Sequence, residues 1–93
     1  MDHRLYITAL YDIYGELLTT KQQEYFEDYY FNNLTLAEIS ENLGITRTAV
    51  HNQIKEAEEK LEHYEKILKL KEKKEKIINY IKENNSDKIL ELL

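Results

Sequence analysis

Between Thr35 and Ile54, helix-capping and turn residues follow one another at a regular spacing. Thr35 and Glu38 have the spacing of a capping box, in which a hydroxyl and a carboxylate satisfy backbone N–H groups at the start of a helix. Gly44 then stands where a helix can end in a left-handed residue, which glycine adopts without a steric penalty. Thr46 is placed to cap the next helix. The segment therefore predicts two helices joined by a glycine-containing turn, the spacing of a helix-turn-helix.

The rest of the chain also favours helices. It contains no proline, and Gly15 is its one other glycine, so little interrupts helix formation. Apolar residues recur at three- and four-residue steps over residues 6–17, which predicts a first helix over residues 4–18. Thr20 and Gln23 have capping-box spacing and predict the start of a second helix. We predict an all-α fold: a small helical domain with a helix-turn-helix, then a long C-terminal helix and one or two short helices.

The helix that begins after Thr46 continues beyond Ile54 with an apolar seam of nearly three heptads. The seam consists of Val50, Ile54, Ala57, Leu61, Tyr64 and Leu68. A helix of this length extends past three short helices, so we expect its seam to need a further surface. The alternatives are the closing segment, residues 75–83 and 86–93, folded back as a hairpin, and a second copy of the chain; the two are compatible with each other. We favour the homodimer.

Charge is distributed unevenly along the chain, whose formal net charge is -5. Residues 1–46 carry two basic and eight acidic residues, whereas residues 47–93 carry eleven basic and ten acidic ones. The densest basic stretch, residues 66–76, has six lysines and two glutamates. Residues 46–55 contain no acidic residue. Because phosphate is anionic, we expect any nucleic-acid surface in the second half of the chain.

Several classes of protein are disfavoured. The chain has no cysteine, which excludes disulfides and thiolate metal sites and fits a reducing compartment. The N-terminal stretch lacks the apolar core of a signal peptide, and no apolar run approaches the roughly 20 residues needed to cross a bilayer. We expect a cytoplasmic protein without membrane insertion. Because no catalytic arrangement and no glycine-rich phosphate loop is present, we expect no enzyme activity, no metal and no cofactor.

The second helix of the predicted helix-turn-helix supplies the candidate nucleic-acid-binding residues. If Val50 and Ile54 face the core, the residues that face outward are Arg47, Thr48, His51, Asn52 and Lys55. Arginine and asparagine can form bidentate contacts with bases or phosphates, and lysine can contact a phosphate. The alternative is an ordinary solvated polar face. For the lysines of residues 66–76, we favour the solvated face over contact with RNA or with an acidic protein.

The central segments 36–39, 44–50 and 54–55 resemble the promoter-reading region of bacterial sigma factors. More closely, the chain is similar to the YlxM family of small bacterial helix-turn-helix proteins. The resemblance covers roughly residues 6–64 and rests on segments 10–18 and 20–26, on Tyr29 and Tyr30, and on the helix-turn-helix through Lys55. We divide the chain into a sigma-like helix-turn-helix domain, residues 1–65, and a C-terminal helical extension, residues 66–93.

The resemblance implies an accessory or regulatory role in the signal recognition particle pathway. The implied partners are the RNA of the particle and its protein component. One alternative is a DNA-binding transcription regulator, which requires two recognition helices about 34 Å apart on one face of DNA. Another is a protein-interaction module that uses the helix-turn-helix as scaffold and docks its acidic first half onto a basic partner.

Overall fold

The computed structural model describes residues 2–83, 87, 88 and 91. Its helices are α1 (His3–Tyr14), α2 (Thr20–Tyr30), α3 (Leu36–Leu43), α4 (Arg47–Leu68) and α5 (Leu70–Lys82), and a 3₁₀ turn, Gly15–Leu17, follows α1. The described residues form no strand, so the predicted all-α fold is confirmed. Among the described helices, none combines the length and the apolar character needed to span a bilayer.

The core surrounds the first part of α4, which contacts α1, α2 and α3. Its buried apolar side chains are Ile7, Leu10, Tyr14, Leu18, Tyr25, Phe26, Tyr30, Ile39, Val50, Ile54, Ala57 and Leu61. Fully burying one large aliphatic or aromatic side chain stabilises a fold by about 1.5–3 kcal/mol. The core therefore fixes the position of α4 relative to the three helices that precede it.

The apolar seam of α4 is largely buried within the chain itself. Val50, Ala57 and Leu61 have no exposed surface, and Ile54 is 5% exposed. The expectation that the seam beyond Ile54 needs a hairpin or a second copy is wrong for Ala57 and Leu61, because both are buried in the core that α1, α2 and α3 form with α4. Only at the end of α4 does the seam reach the surface, where Leu68 is 43% exposed.

The first helix is shorter than the predicted residues 4–18. It ends at Tyr14, and the backbone tightens into the 3₁₀ turn at Gly15. A Cβ atom at Gly15 would lie 3.0 Å from the ring of Tyr11, so the ring packs where a side chain would otherwise stand. The turn brings Leu17 to the surface, 55% exposed, although the sequence pattern had placed it in the apolar stripe.

The capping box of α2 uses Thr19 and Gln22, one residue before the predicted pair Thr20 and Gln23. The backbone N–H of Gln22 donates to the Thr19 hydroxyl at 3.1 Å, and the Thr19 N–H donates to Gln22 Oε1 at 3.2 Å. Gln23 has another partner: its side-chain amide donates to the carbonyl oxygen of Gly15 at 2.8 Å. Because this carbonyl lies at the end of the preceding helix, the tertiary contact decides which of two equivalent sequence patterns forms the cap.

Candidate nucleic-acid interface

The helix-turn-helix forms at the predicted residues, α3 to the start of α4. Thr35 and Glu38 make both hydrogen bonds of the capping box, each at 3.1 Å. Gly44 ends α3 in the left-handed region, with φ 67° and ψ 32°. The Thr46 hydroxyl accepts from the backbone N–H of Ala49 at 3.0 Å and caps α4. The caps and the turn that the sequence predicts are therefore confirmed.

Buried residues on both helices fix the rotation of α4 about its axis. Ile39 of α3 and Val50 of α4 have no exposed surface. Ser40, which is 8% exposed, donates its hydroxyl to the Ala37 carbonyl at 2.8 Å and so remains satisfied next to the core. The opposite face of α4 is consequently turned outward.

All five candidate residues lie on that outward face and are exposed: Arg47, Thr48, His51, Asn52 and Lys55. They span the first two and a half turns of α4. In a helix-turn-helix, the N-terminal residues of the second helix are those that contact base edges. The geometry therefore brings the predicted set together on one surface, while their contact with nucleic acid stays a prediction.

The charge of α4 changes along its length. Residues 47–55 contain no carboxylate, whereas Glu56, Glu58, Glu59 and Glu62 follow within the next two turns. Glu58 lies in a groove together with His51 and Lys55, but its carboxylate accepts a hydrogen bond from the Tyr30 hydroxyl. Burial raises the pKa of Tyr30 above its usual range, and the hydrogen bond to Glu58 raises it further, so the tyrosine keeps its proton. Between residues 47 and 62, the N-terminal end of α4 therefore repels an anion less than the turns that follow it do.

The lysine-rich stretch does not form a continuous basic stripe. Lys71 forms an ion pair with Glu75, and Lys76 forms one with Glu72 at 3.2 Å. Lys71 is only 9% exposed, and its ammonium lies 5.7 Å from the centre of the Tyr6 ring. Both glutamates of the stretch therefore neutralise lysines one turn away.

Sequence reasoning did not single out Arg4, although it lies close to the helix-turn-helix. It lines a surface groove of about 550 Å³ together with Arg47. One signal in the sequence could have indicated it: Arg4 and Arg47 are the two arginines of a chain whose other basic residues, histidines aside, are eleven lysines.

Acidic and histidine side chains do not gather into a metal site within the described parts of the chain. There, no group of three or more potential ligands from His, Asp and Glu is close enough to hold an ion.

Comparison with known proteins agrees with this geometry. Residues 1–92 match the family model described as "UPF0122: Putative helix-turn-helix protein, YlxM / p13 like". A UPF0122 protein of Caldanaerobacter subterraneus is 49% identical over 80 residues, covering 86% of this chain and 68% of the relative. A UPF0122 protein of Clostridium kluyveri is 42% identical over 100 aligned residues, covering all of this chain and 90% of the relative.

A third relative, from Malacoplasma penetrans, is 44% identical over 89 residues and covers 91% of this chain and 83% of the relative. Together with the geometry of α3, Gly44 and α4, these matches establish that the chain belongs to the UPF0122 family of YlxM / p13-like helix-turn-helix proteins.

Proposed function

We propose that this protein binds nucleic acid through the start of α4 and acts as a non-enzymatic accessory or regulatory factor of the signal recognition particle. One observation carries the nucleic-acid part. In a chain of net charge -5, the exposed residues on the outward face of α4 over its first two and a half turns are all basic or neutral: Arg47, Thr48, His51, Asn52 and Lys55.

The charge change along α4 determines how nucleic acid is approached. Glu59 and Glu62 are exposed on the turns that follow Lys55 and repel phosphates there. Nucleic acid therefore meets α4 at its N-terminal end and does not run along the helix. This is the orientation in which a helix-turn-helix inserts its second helix into a groove.

The link to the signal recognition particle rests on the family resemblance, which supports RNA of the particle as the nucleic acid and its protein component as a further partner. DNA is the alternative target.

We also propose that residues 66–93 act as an extension used for docking or homodimerisation in the cytoplasm. The observation that supports this role is that several large apolar side chains of the extension are exposed: Ile67, Leu68, Leu70, Ile78 and Ile81.

A titration of labelled RNA and DNA tests the nucleic-acid proposal. Fluorescence anisotropy is measured for the RNA of the particle and for an unrelated DNA duplex at several salt concentrations. We expect affinity to fall with salt, with a log-log slope of roughly -0.9 per phosphate contact on a duplex and roughly -0.7 on a single strand. Tighter binding of the RNA than of the duplex at every salt concentration supports the particle role, whereas the reverse order supports a transcription regulator.

Variants assign that binding to α4. Arg47→Ala combined with Lys55→Ala should abolish measurable binding and leave helicity unchanged, because both side chains are exposed. The matched control is Lys21→Ala combined with Lys73→Ala, which removes two exposed charges elsewhere. Full affinity in the α4 variant, or an equal loss in the control, contradicts the assignment.

A second candidate function is a protein-interaction module, which one surface favours. A groove of about 610 Å³ on α2 is lined by Glu24, Glu27 and Asp28, and it includes the ring of Phe31, which is 47% exposed. Acidic groups around an exposed aromatic side chain suit a basic partner with an apolar anchor. If neither RNA nor DNA binds, this groove becomes the leading candidate.

A further inference from the structure

The two arginines of the chain come together in one groove, although 43 positions separate them in the sequence. Arg4 lies in the second residue of α1, and Arg47 begins α4. The groove between them has a volume of about 550 Å³ and runs beside the connection from α2 to α3. None of its lining residues is acidic.

Two other surface grooves of α1 and α2 have the opposite character. One is lined by Glu24, Glu27 and Asp28, and another by Asp12 and Glu16. A phosphate is repelled at both. The arginine groove, by contrast, combines two guanidinium groups with a lining that has no carboxylate, and it therefore favours an anion.

Arg4 is held in position by contacts that leave part of its guanidinium available. Its Nη2 donates to the carbonyl of Tyr30 at 2.5 Å and to Asn33 Oδ1 at 3.1 Å, and the guanidinium lies 5.1 Å from the centre of the Tyr30 ring. A weaker bond reaches the carbonyl of Tyr29 at 3.4 Å. Because all of these bonds to described residues use Nη2, the N–H groups of Nε and Nη1 remain for a ligand.

We propose that Arg4 and Arg47 form a phosphate clamp, two guanidinium groups that hold the sugar–phosphate backbone of the nucleic acid beside the N-terminal end of α4. Arginine suits this role because its planar fork matches two phosphate oxygens. The inference rests on the proposed nucleic-acid binding and extends that interface from α4 to α1. It also assigns Arg47 to the backbone, which leaves His51 and Asn52 as the residues for base edges.

Two of the backbone N–H groups at the start of α3 are already engaged. The backbone N–H of Thr35 already donates to Glu38 Oε1, and that of Glu38 donates to the Thr35 hydroxyl. The proposal therefore depends on the two guanidinium groups and on the absence of carboxylates from the groove lining.

The unmodified protein allows a direct test because it has only two arginines. Its ¹⁵N-labelled form should give two Nε–Hε signals, which Arg4→Lys assigns by removing one. During titration with the RNA of the particle or with the DNA duplex, we expect both signals to shift in parallel with binding. A shift of the Arg47 signal alone would overturn the clamp.

The salt dependence of affinity supplies a second test. Arg4→Gln should weaken binding of every sequence and make the log-log salt slope shallower by about 1, as expected for one lost phosphate contact. The matched control is Lys21→Gln, which removes the other basic residue of residues 1–46 and lies outside the groove. We expect no change in its slope.

Arg4 also donates to a carbonyl at the end of α2, so Arg4→Gln could alter stability as well as binding. Thermal unfolding of this variant is therefore compared with that of the wild type before its affinity is interpreted. If it does not fold, Arg4→Lys replaces it: the charge and the slope should be kept, and the affinity should fall severalfold because the fork is lost.

The two proposals fail in different ways. If the wild type binds neither RNA nor DNA, the proposed function fails and the clamp fails with it. If the wild type binds and Lys55→Ala weakens binding, but Arg4→Gln equals Lys21→Gln, only the clamp is overturned.

Discussion

Two corners of the molecule each join two helices through one left-handed residue, and they are stabilised in different ways. The first corner is Gly44, between α3 and α4, and the second is Lys69, between α4 and α5. Gly44 has φ 67° and Lys69 has φ 53°. Glycine adopts this conformation without penalty, whereas a residue with a Cβ atom incurs roughly 1–2 kcal/mol. The second corner therefore needs interactions that the first does not.

Those interactions come from α1 and from the end of α4. The Tyr14 hydroxyl donates to Glu65 Oε1 at 2.7 Å and accepts from the backbone N–H of Leu70 at 3.0 Å. Glu65 also accepts a hydrogen bond from the backbone N–H of Lys71 at 3.0 Å. The side chain of Lys69 itself does not cap α5. A carboxylate at a helix start is favoured by the helix dipole as well. The second corner is thus a tertiary structure, while the first is specified by neighbouring residues.

The helix between the two corners, α4, passes from the core to the surface. Two matched substitutions on it should give the largest difference in the free energy of unfolding. Leu61 has no exposed surface, so Leu61→Asp buries an unpaired charge and should lower the free energy of unfolding by more than about 4 kcal/mol. This is enough to unfold many domains of this size. Thermal and urea denaturation followed by circular dichroism measure it.

Ile67→Asp is the matched control for Leu61→Asp. Ile67 belongs to the same helix but is 62% exposed, so the same substitution should change stability by less than about 0.5 kcal/mol. If Ile67→Asp also alters the sedimentation coefficient, the exposed end of α4 is a contact between copies. Equal loss of stability in both variants would contradict the division of α4 into a buried part and an exposed part.

Removal of one hydroxyl should loosen the second corner without affecting the first. Tyr14→Phe keeps the buried ring but loses the acceptor for Leu70 and the donor to Glu65, which should cost about 1–2 kcal/mol. Hydrogen exchange should accelerate at the amides of Leu70 and Lys71. Tyr64→Phe is the control, because the ring of Tyr64 packs near that of Tyr14 with centroids 6.0 Å apart. Faster exchange at Ile45 in place of Leu70 would contradict the assignment of this network to α5.

The first corner should respond to a single methyl group. Gly44→Ala introduces a Cβ atom that meets no neighbour within 4 Å, so any effect comes from the left-handed backbone alone. We expect a loss of about 1–2 kcal/mol in the free energy of unfolding. Gly44→Asn should lose less, because asparagine tolerates this region better. A neutral Gly44→Ala would show that the turn adopts another conformation in solution.

The contrast between the corners explains what the sequence could predict. Thr35, Glu38, Gly44 and Thr46 interact with residues a few positions away, so their spacing alone specified the helix-turn-helix. The exposure of the five candidate residues followed from the apolar period of α4. Contacts between distant segments left no such signal. The bond from Gln23 to Gly15 selected the cap of α2, and the burial of the α4 seam depended on how three helices meet.

Arg4 shows the same limit at the candidate site. Its place beside Arg47 depends on the packing of α1 against the end of α2, where its guanidinium bonds to the carbonyl of Tyr30. Charge counting had assigned residues 1–46 to an acidic region, and a sum over a segment does not locate one basic side chain. The rarity of arginine was the signal that the sequence offered, but only the fold shows that the two arginines lie in one groove.

The smallest expected effect concerns Lys69, and its sign distinguishes the two corners. Lys69→Gly removes the cost of a left-handed residue. It also increases the conformational entropy of the unfolded chain, which lowers the free energy of unfolding by roughly 0.5–1 kcal/mol. The net result should be a gain in stability of less than about 1 kcal/mol. Lys73→Gly, in the interior of α5, removes the same exposed charge and should instead lose about 1 kcal/mol, because glycine disfavours a helix. Opposite signs in urea denaturation would show that the second corner adopts the left-handed conformation in solution, and a loss in both variants would show that α4 and α5 form one continuous helix there.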